Sequence, residues 1–117
     1  VSDSIKELNE RLLRFARERD WEQFHSPKNL SMALAGEAGE LLEHFQWITE
    51  EQSQNLDEDR KEAVALEMAD IFIYLVRMAE RLDINLLDAA WQKISINEKR
   101  YPVEQVKGDS RRAEEYS

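Results

Sequence analysis

Residues 33–47 read ALAGEAGELLEHFQW. Apolar side chains recur there at spacings of three and four, the signature of one helix face. The chain offers almost no strand signals: no alternating β-branched run and no Asn-Gly hairpin turn. One residue in this stretch is out of character. On a wheel of about 100° per residue with Glu37 at zero, Leu30 and Ile48 lie about 20° away, and Ala33 and Leu41 about 40° away. A carboxylate therefore sits inside the apolar stripe, with Glu40 at its edge one turn later.

The same periodicity, followed outward, predicts four helices and an all-α fold. The first spans about Asp3 to Arg19, with Ile5, Leu8, Leu12, Leu13, Phe15 and Ala16 inward. Ser26-Pro27 is a strong start for the second, Ser as N-cap and Pro in the first turn, and this helix runs to about Ile48. The polar segment TEEQSQNLDED reads as a loop. Asn55 or Asp57 caps the third helix, which extends to about Leu82. After the turn LDIN, Asn85 caps a fourth helix that ends near Tyr101, ahead of Pro102. The expected organisation is one domain over residues 1–102 and a polar C-terminal tail over 103–117. The helices should pack as a four-helix bundle. Ile71 to Val76 reads IFIYLV, apolar all round the helix, which calls for burial on more than one side. In a chain of 117 residues a second subunit is the natural cover, so a homo-oligomer is expected.

Composition narrows the function classes. Apolar residues make up 42% and charged residues 35%, the balance of a globular chain. No apolar run approaches the ~20 residues that span a bilayer. The N-terminal VSDSIKELNERL lacks the apolar core of a signal peptide, and a cytoplasmic location is expected. There are no cysteines, hence no disulfide framework and no thiolate metal site. A net charge of −9 disfavours binding to DNA, RNA or an anionic membrane surface. An acidic chain that handles phosphates needs cations between its carboxylates and the ligand.

The third helix repeats the anomaly of the second. With Glu67 at zero, Tyr74 and Met78 fall about 20° away, and Ala63 and Ile71 about 40° away. Asp70 comes three residues later. Two helices thus carry acidic i, i+3 pairs toward the interior, Glu37/Glu40 and Glu67/Asp70. Clustered buried carboxylates are costly unless protonated, ion-paired or bound to a metal. Pairing is poorly provided for, with only Arg77 near this face of the third helix and Lys28 at the start of the second. A hard divalent cation would satisfy all four, Mg²⁺ or Mn²⁺, and Mg²⁺ commonly binds substrate phosphates as well. The bland reading is four solvated surface acids. A ferritin-like di-iron site is disfavoured, because that design needs Glu-x-x-His on two helices and the sequence has this spacing only once, at Glu22 to His25 in the loop after the first helix.

These residues, with their surroundings RDWEQFHSPKNLSMALAGEAGELLEHFQW, EMADIFIYLVRMA and INEKRYP, resemble the MazG-like all-α nucleoside triphosphate pyrophosphohydrolases. The likeness covers about Phe15 to Pro102 and is nearest to the small dCTP pyrophosphatase branch. The family hallmark is an E-x-x-E pair, a spacer and E-x-x-D. Here these are Glu37-Ala-Gly-Glu40, 26 residues, and Glu67-Met-Ala-Asp70.

The resemblance implies Mg²⁺-dependent hydrolysis of (deoxy)nucleoside triphosphates between the α and β phosphates, as house-cleaning of the nucleotide pool. It implies that Glu37, Glu40, Glu67 and Asp70 are both metal ligands and the catalytic set, and that the subunits form dimers or tetramers. Other matching positions sort by chemistry. Lys28, Lys93, Lys99 and Arg100 are candidate triphosphate contacts, and Asn97 is a candidate donor to phosphate or sugar. Tyr74, one turn beyond Asp70, is placed to pack on a deoxyribose. Trp21 and Trp47 are candidate walls around a base. Each also has a packing or surface reading, and Trp91 reads as core. His25 is expected to order its loop, and His44 to lie at the surface or beside Glu40. Some members of the branch carry a histidine near the position of Leu12, so leucine there leaves base preference open. The rival function is a non-catalytic helical module for nucleotide sensing or protein interaction.

Overall fold

The computed structural model describes residues 4–108, which are helical wherever they are regular. Helix α1 spans Ile5–Glu18, α2 Pro27–Glu43, α3 Glu50–Ser53, α4 Glu58–Arg81, α5 Leu86–Arg100 and α6 Val103–Val106, with a single 3-10 turn at Glu22–Phe24. No strand occurs among the described residues, and none of their helices is long and apolar enough to cross a membrane.

The helix starts obey the capping chemistry. Ser26 Oγ accepts from the Asn29 amide at 3.1 Å, with Pro27 in the first turn. Asp57 rather than Asn55 caps α4, accepting from the Arg60 amide at 2.7 Å. Asn85 caps α5 as expected, at 3.0 Å from the Asp88 amide. Ser4 caps α1 through the Glu7 amide, so that helix begins at Ile5; Asp3, expected inside it, lies outside the described residues.

Several expectations need correction. Helix α2 stops at Glu43, not Ile48, and His44–Trp47 form turns. The segment read as a loop starts its own helix, because Thr49 and Gln52 form a reciprocal capping box that competes with continuation of α2. Phe15, expected inward, is 45% exposed, while its neighbour Ala16 is buried. Phe15 instead meets Trp21 edge to face at 5.7 Å, and the Arg19 guanidinium lies 3.6 Å from its ring centroid. Trp91, read as core, is exposed. In the stretch read as a tail, α6 forms one short helix, and residues 109–117 lie outside the described residues.

The chain divides into two compact units, one ending at Ile84 and one beginning at Asn85. Within the first, α2 packs along α4, and α1 packs on α4 to a lesser extent. Leu30 from α2, Ala16 from α1, and Val64, Val76 and Ala79 from α4 form its buried core. The second unit holds α5 and α6.

Helix α4 is only partly covered. Met68, Phe72 and Leu75 fall within one arc of its wheel and stay exposed, whereas Val76 and Ala79 are buried. IFIYLV is therefore buried on one side within the chain and bare on the other.

Candidate functional site

The α2–α4 seam brings the acids together. Glu37 and Glu67 are half-buried and face each other across it, and Asp70 is exposed at its rim. A carboxylate oxygen from each of Glu37, Glu67 and Asp70 lies within 4.8 Å of the others. Glu40 is exposed and outside this group of three, though close enough to act on the charge of Glu37. None of the ion pairs found among the described residues, Arg17–Glu22, Arg19–Glu18 and Arg77–Glu80, involves the cluster.

The electrostatics record the strain of this arrangement. The Glu37 carboxyl is pushed up to about 7, first by the Glu67 carboxyl, which is near enough to share a proton, then by partial burial, then by Glu40 and Asp70. When both are ionised, neither has a donor: Glu37 Oε2 and Glu67 Oε2 are buried and lack any hydrogen-bond partner. Acceptor-only oxygens that converge from two helices fit a hard divalent cation, by donor type and by charge. The residues present therefore suit such an ion, with Glu37, Glu67 and Asp70 as the preformed donors.

This raised pKa sets a pH dependence. A folded-state pKa above the ordinary carboxylate value means that Glu37 holds a proton between about 4.5 and 7 in the ion-free protein. Stability in EDTA should therefore fall as pH rises through that window, and the fall should shrink in Glu37→Gln. Binding of Mn²⁺ must displace the proton, so calorimetric affinity should rise with pH up to about 7 and level off above it. An affinity flat from pH 5.5 to 8 would remove Glu37 from the ligand set.

The remaining predicted residues are spread over both units. Tyr74 is half-buried on α4, one turn beyond Asp70. Lys28 is exposed in the first turn of α2. Trp21 is 44% exposed and packs on Phe15. Trp47 is 86% exposed in the turns after α2. Lys93, Asn97, Lys99 and Arg100 all lie on α5, in the second unit. Lys93, Asn97 and Arg100 share one face there, and Lys99 points elsewhere on the wheel. Arg100 also lies 5.7 Å from the Tyr101 ring centroid. His25 is half-buried and its backbone closes the 3-10 turn on Glu22, consistent with a loop-ordering role. Its imidazole is held below its ordinary pKa by burial and by the charges of Arg77 and Arg81, against a smaller opposing effect of Glu22.

The sequence sets Arg77 near the acidic face of its helix but does not show how fully it is enclosed. Its guanidinium is 3% exposed and pairs with Glu80 at 3.1 Å. The wheel carried no signal for it, since Asp70, about 20° away, is exposed.

Comparison with known proteins identifies the family and the fold. The MazG-like family model matches residues 33–115. dCTP pyrophosphatase 1 of Homo sapiens is 46% identical over 100 residues, covering 84% of this chain and 59% of that protein. The Bos taurus protein of the same name is 47% identical over 98 residues, covering 82% and 58%. The chain thus spans about three-fifths of the length of these curated relatives. The crystal structure of a pyrophosphatase from Archaeoglobus fulgidus matches with a TM-score of 0.81 at 36% identity, covering 87% of this chain and 95% of that one. Sequence and fold agree: the chain belongs to the MazG-like family.

Proposed function

We propose that the protein hydrolyses (deoxy)nucleoside triphosphates at the α–β bond, releasing the monophosphate and pyrophosphate, with deoxynucleotides of the dCTP kind as substrates. The observation that carries this reading is the convergence of Glu37, Glu67 and Asp70 with two buried oxygens that lack partners. The names of the relatives, dCTP pyrophosphatase 1 and a pyrophosphatase, support it.

In this reading Glu37, Glu67 and Asp70, joined by Glu40, hold Mg²⁺ or Mn²⁺. When bound, the ion neutralises the triphosphate and makes the α-phosphorus electrophilic. Glu40, outside the three converging carboxylates, or Glu37 orients the attacking water. Tyr74 packs on the sugar, and Trp21 and Trp47 flank the base. Lys28, Lys93, Lys99 and Arg100 are the candidate donors to phosphate oxygens, and Asn97 to phosphate or sugar. The assignment is tested by stripping the protein with EDTA, measuring dCTP turnover, and adding back Mg²⁺, Mn²⁺ or Ca²⁺. Turnover restored by Mg²⁺ or Mn²⁺ is expected, and turnover at full rate in EDTA would refute the role given to the acids.

The working form is a cytoplasmic homodimer or homotetramer in this reading. The exposed arc Met68, Phe72 and Leu75 supports it, because an isolated helix face of this kind is normally covered. Light scattering should give at least twice the chain mass of 13.8 kDa, and Phe72→Glu should shift it toward one. A wild-type monomer at micromolar concentration would exclude the assembly.

A further inference from the structure

Arg77 is buried, charged and not used by the chemistry above. Its Nη1 donates to Glu80 Oε2 at 3.1 Å. Its Nε and Nη2 are buried and have no partner. These two nitrogens form one edge of the guanidinium, a fork that meets two acceptors at once. Buried donors without acceptors are expensive, so an open fork is built for an occupant. Glu80 already balances the charge, and the occupant therefore needs two acceptors rather than a negative charge. His25 Nδ1 is also buried and unpartnered, and His25 lies within electrostatic reach of Arg77 and Arg81.

The place of the fork on α4 says what the occupant is. At about 100° per residue, Tyr74 lies about 40° from Asp70 and Arg77 about 20°. The acids, Tyr74 and Arg77 thus share one face. With a rise of about 1.5 Å per residue, Arg77 is about 10 Å along the helix from Asp70. A nucleotide spans a comparable distance from its α-phosphate to its base.

We propose that Arg77 reads the base of the substrate, its Nε–H and Nη2–H donating to two adjacent acceptors on one base edge. The inference rests on the pyrophosphohydrolase reading. Two common bases present such a pair, cytosine at N3/O2 and guanine at N7/O6; adenine and thymine set a donor beside an acceptor on the equivalent edges. A base entering this enclosed fork has to move neighbouring side chains, and His25, whose Nδ1 has no hydrogen bond to hold it, is within electrostatic reach of Arg77. Arg77 is on this account a specificity residue for cytosine or guanine nucleotides.

The test compares wild type, Arg77→Met, Arg77→Lys and the double variant R77M/E80Q, which removes both partners of the ion pair together and guards against simple unfolding. kcat/KM is measured for dCTP, dGTP, dTTP and dATP, and binding of dCMP, dGMP, dTMP and dAMP by calorimetry. In wild type, dCTP or dGTP should be preferred over dTTP and dATP. That preference should fall about tenfold or more in Arg77→Met and in the double variant. Lysine, which has no fork, should not restore it. An unchanged preference in a folded variant would overturn the proposal, leaving a fork filled by buried water only. So would equal losses on all four bases, or a wild type without base preference. The binding arm separates the two readings. A protein that hydrolyses no triphosphate yet binds dCMP or dGMP through Arg77 would refute the hydrolase and keep the base reader.

Discussion

Glu67→Gln is expected to reduce turnover of the preferred triphosphate by at least about a hundredfold while leaving the helical circular dichroism intact. The substitution keeps size and shape but removes one of three converging charges. It also removes the strongest influence on the Glu37 carboxyl, so Glu37 should titrate closer to an ordinary glutamate in the variant. Two further readouts are expected. The variant should bind Mn²⁺ more weakly, and without metal at pH 8 it should be no less stable than wild type, because a repulsion has been removed. A variant that kept wild-type turnover would show that the acids are solvated surface charges. A variant that lost turnover and its helical signal together would point to a structural role for Glu67.

Leu30→Ala is expected to destabilise the fold by about 2–5 kcal/mol. Leu30 is 1% exposed and is the largest side chain fully enclosed in the core. It sits one turn into α2, the helix that must lie along α4 for Glu37 to meet Glu67. A loss of this size is a large share of the roughly 5–15 kcal/mol that holds a domain together. Chemical denaturation with Mg²⁺ at a fixed concentration gives the number. A loss below about 1 kcal/mol would mean that the site has collapsed around the smaller side chain. Activity per folded molecule should change less than stability does, since no acid has been touched.

The seam between α2 and α4 was legible in the sequence because two independent periodicities agreed. Glu37 and Glu67 each interrupt an apolar stripe, and each stripe is long enough to define its own phase. The caps Ser26, Asp57 and Asn85 were legible too, since capping is local chemistry. What failed was competition between neighbours. The wheel carried α2 on to Ile48, while the Thr49–Gln52 capping box started a new turn and detached that segment. Phe15 and Trp91 were read from hydrophobicity, yet side chains of that kind find other uses: Phe15 meets Trp21 edge to face and lies beneath the Arg19 guanidinium, and Trp91 stays exposed. Arg77 was legible only in part: the wheel set it near the acidic face of its helix, while its enclosure and its pairing with Glu80 depend on packing between helices.

The central claim is that the acidic seam serves attack on an α-phosphorus. ³¹P NMR of the products formed from dCTP with Mg²⁺ in ¹⁸O-enriched water tests it most directly. The account predicts dCMP and pyrophosphate, with the isotope shift on the monophosphate. Orthophosphate with dCDP, or label carried by pyrophosphate, would contradict it.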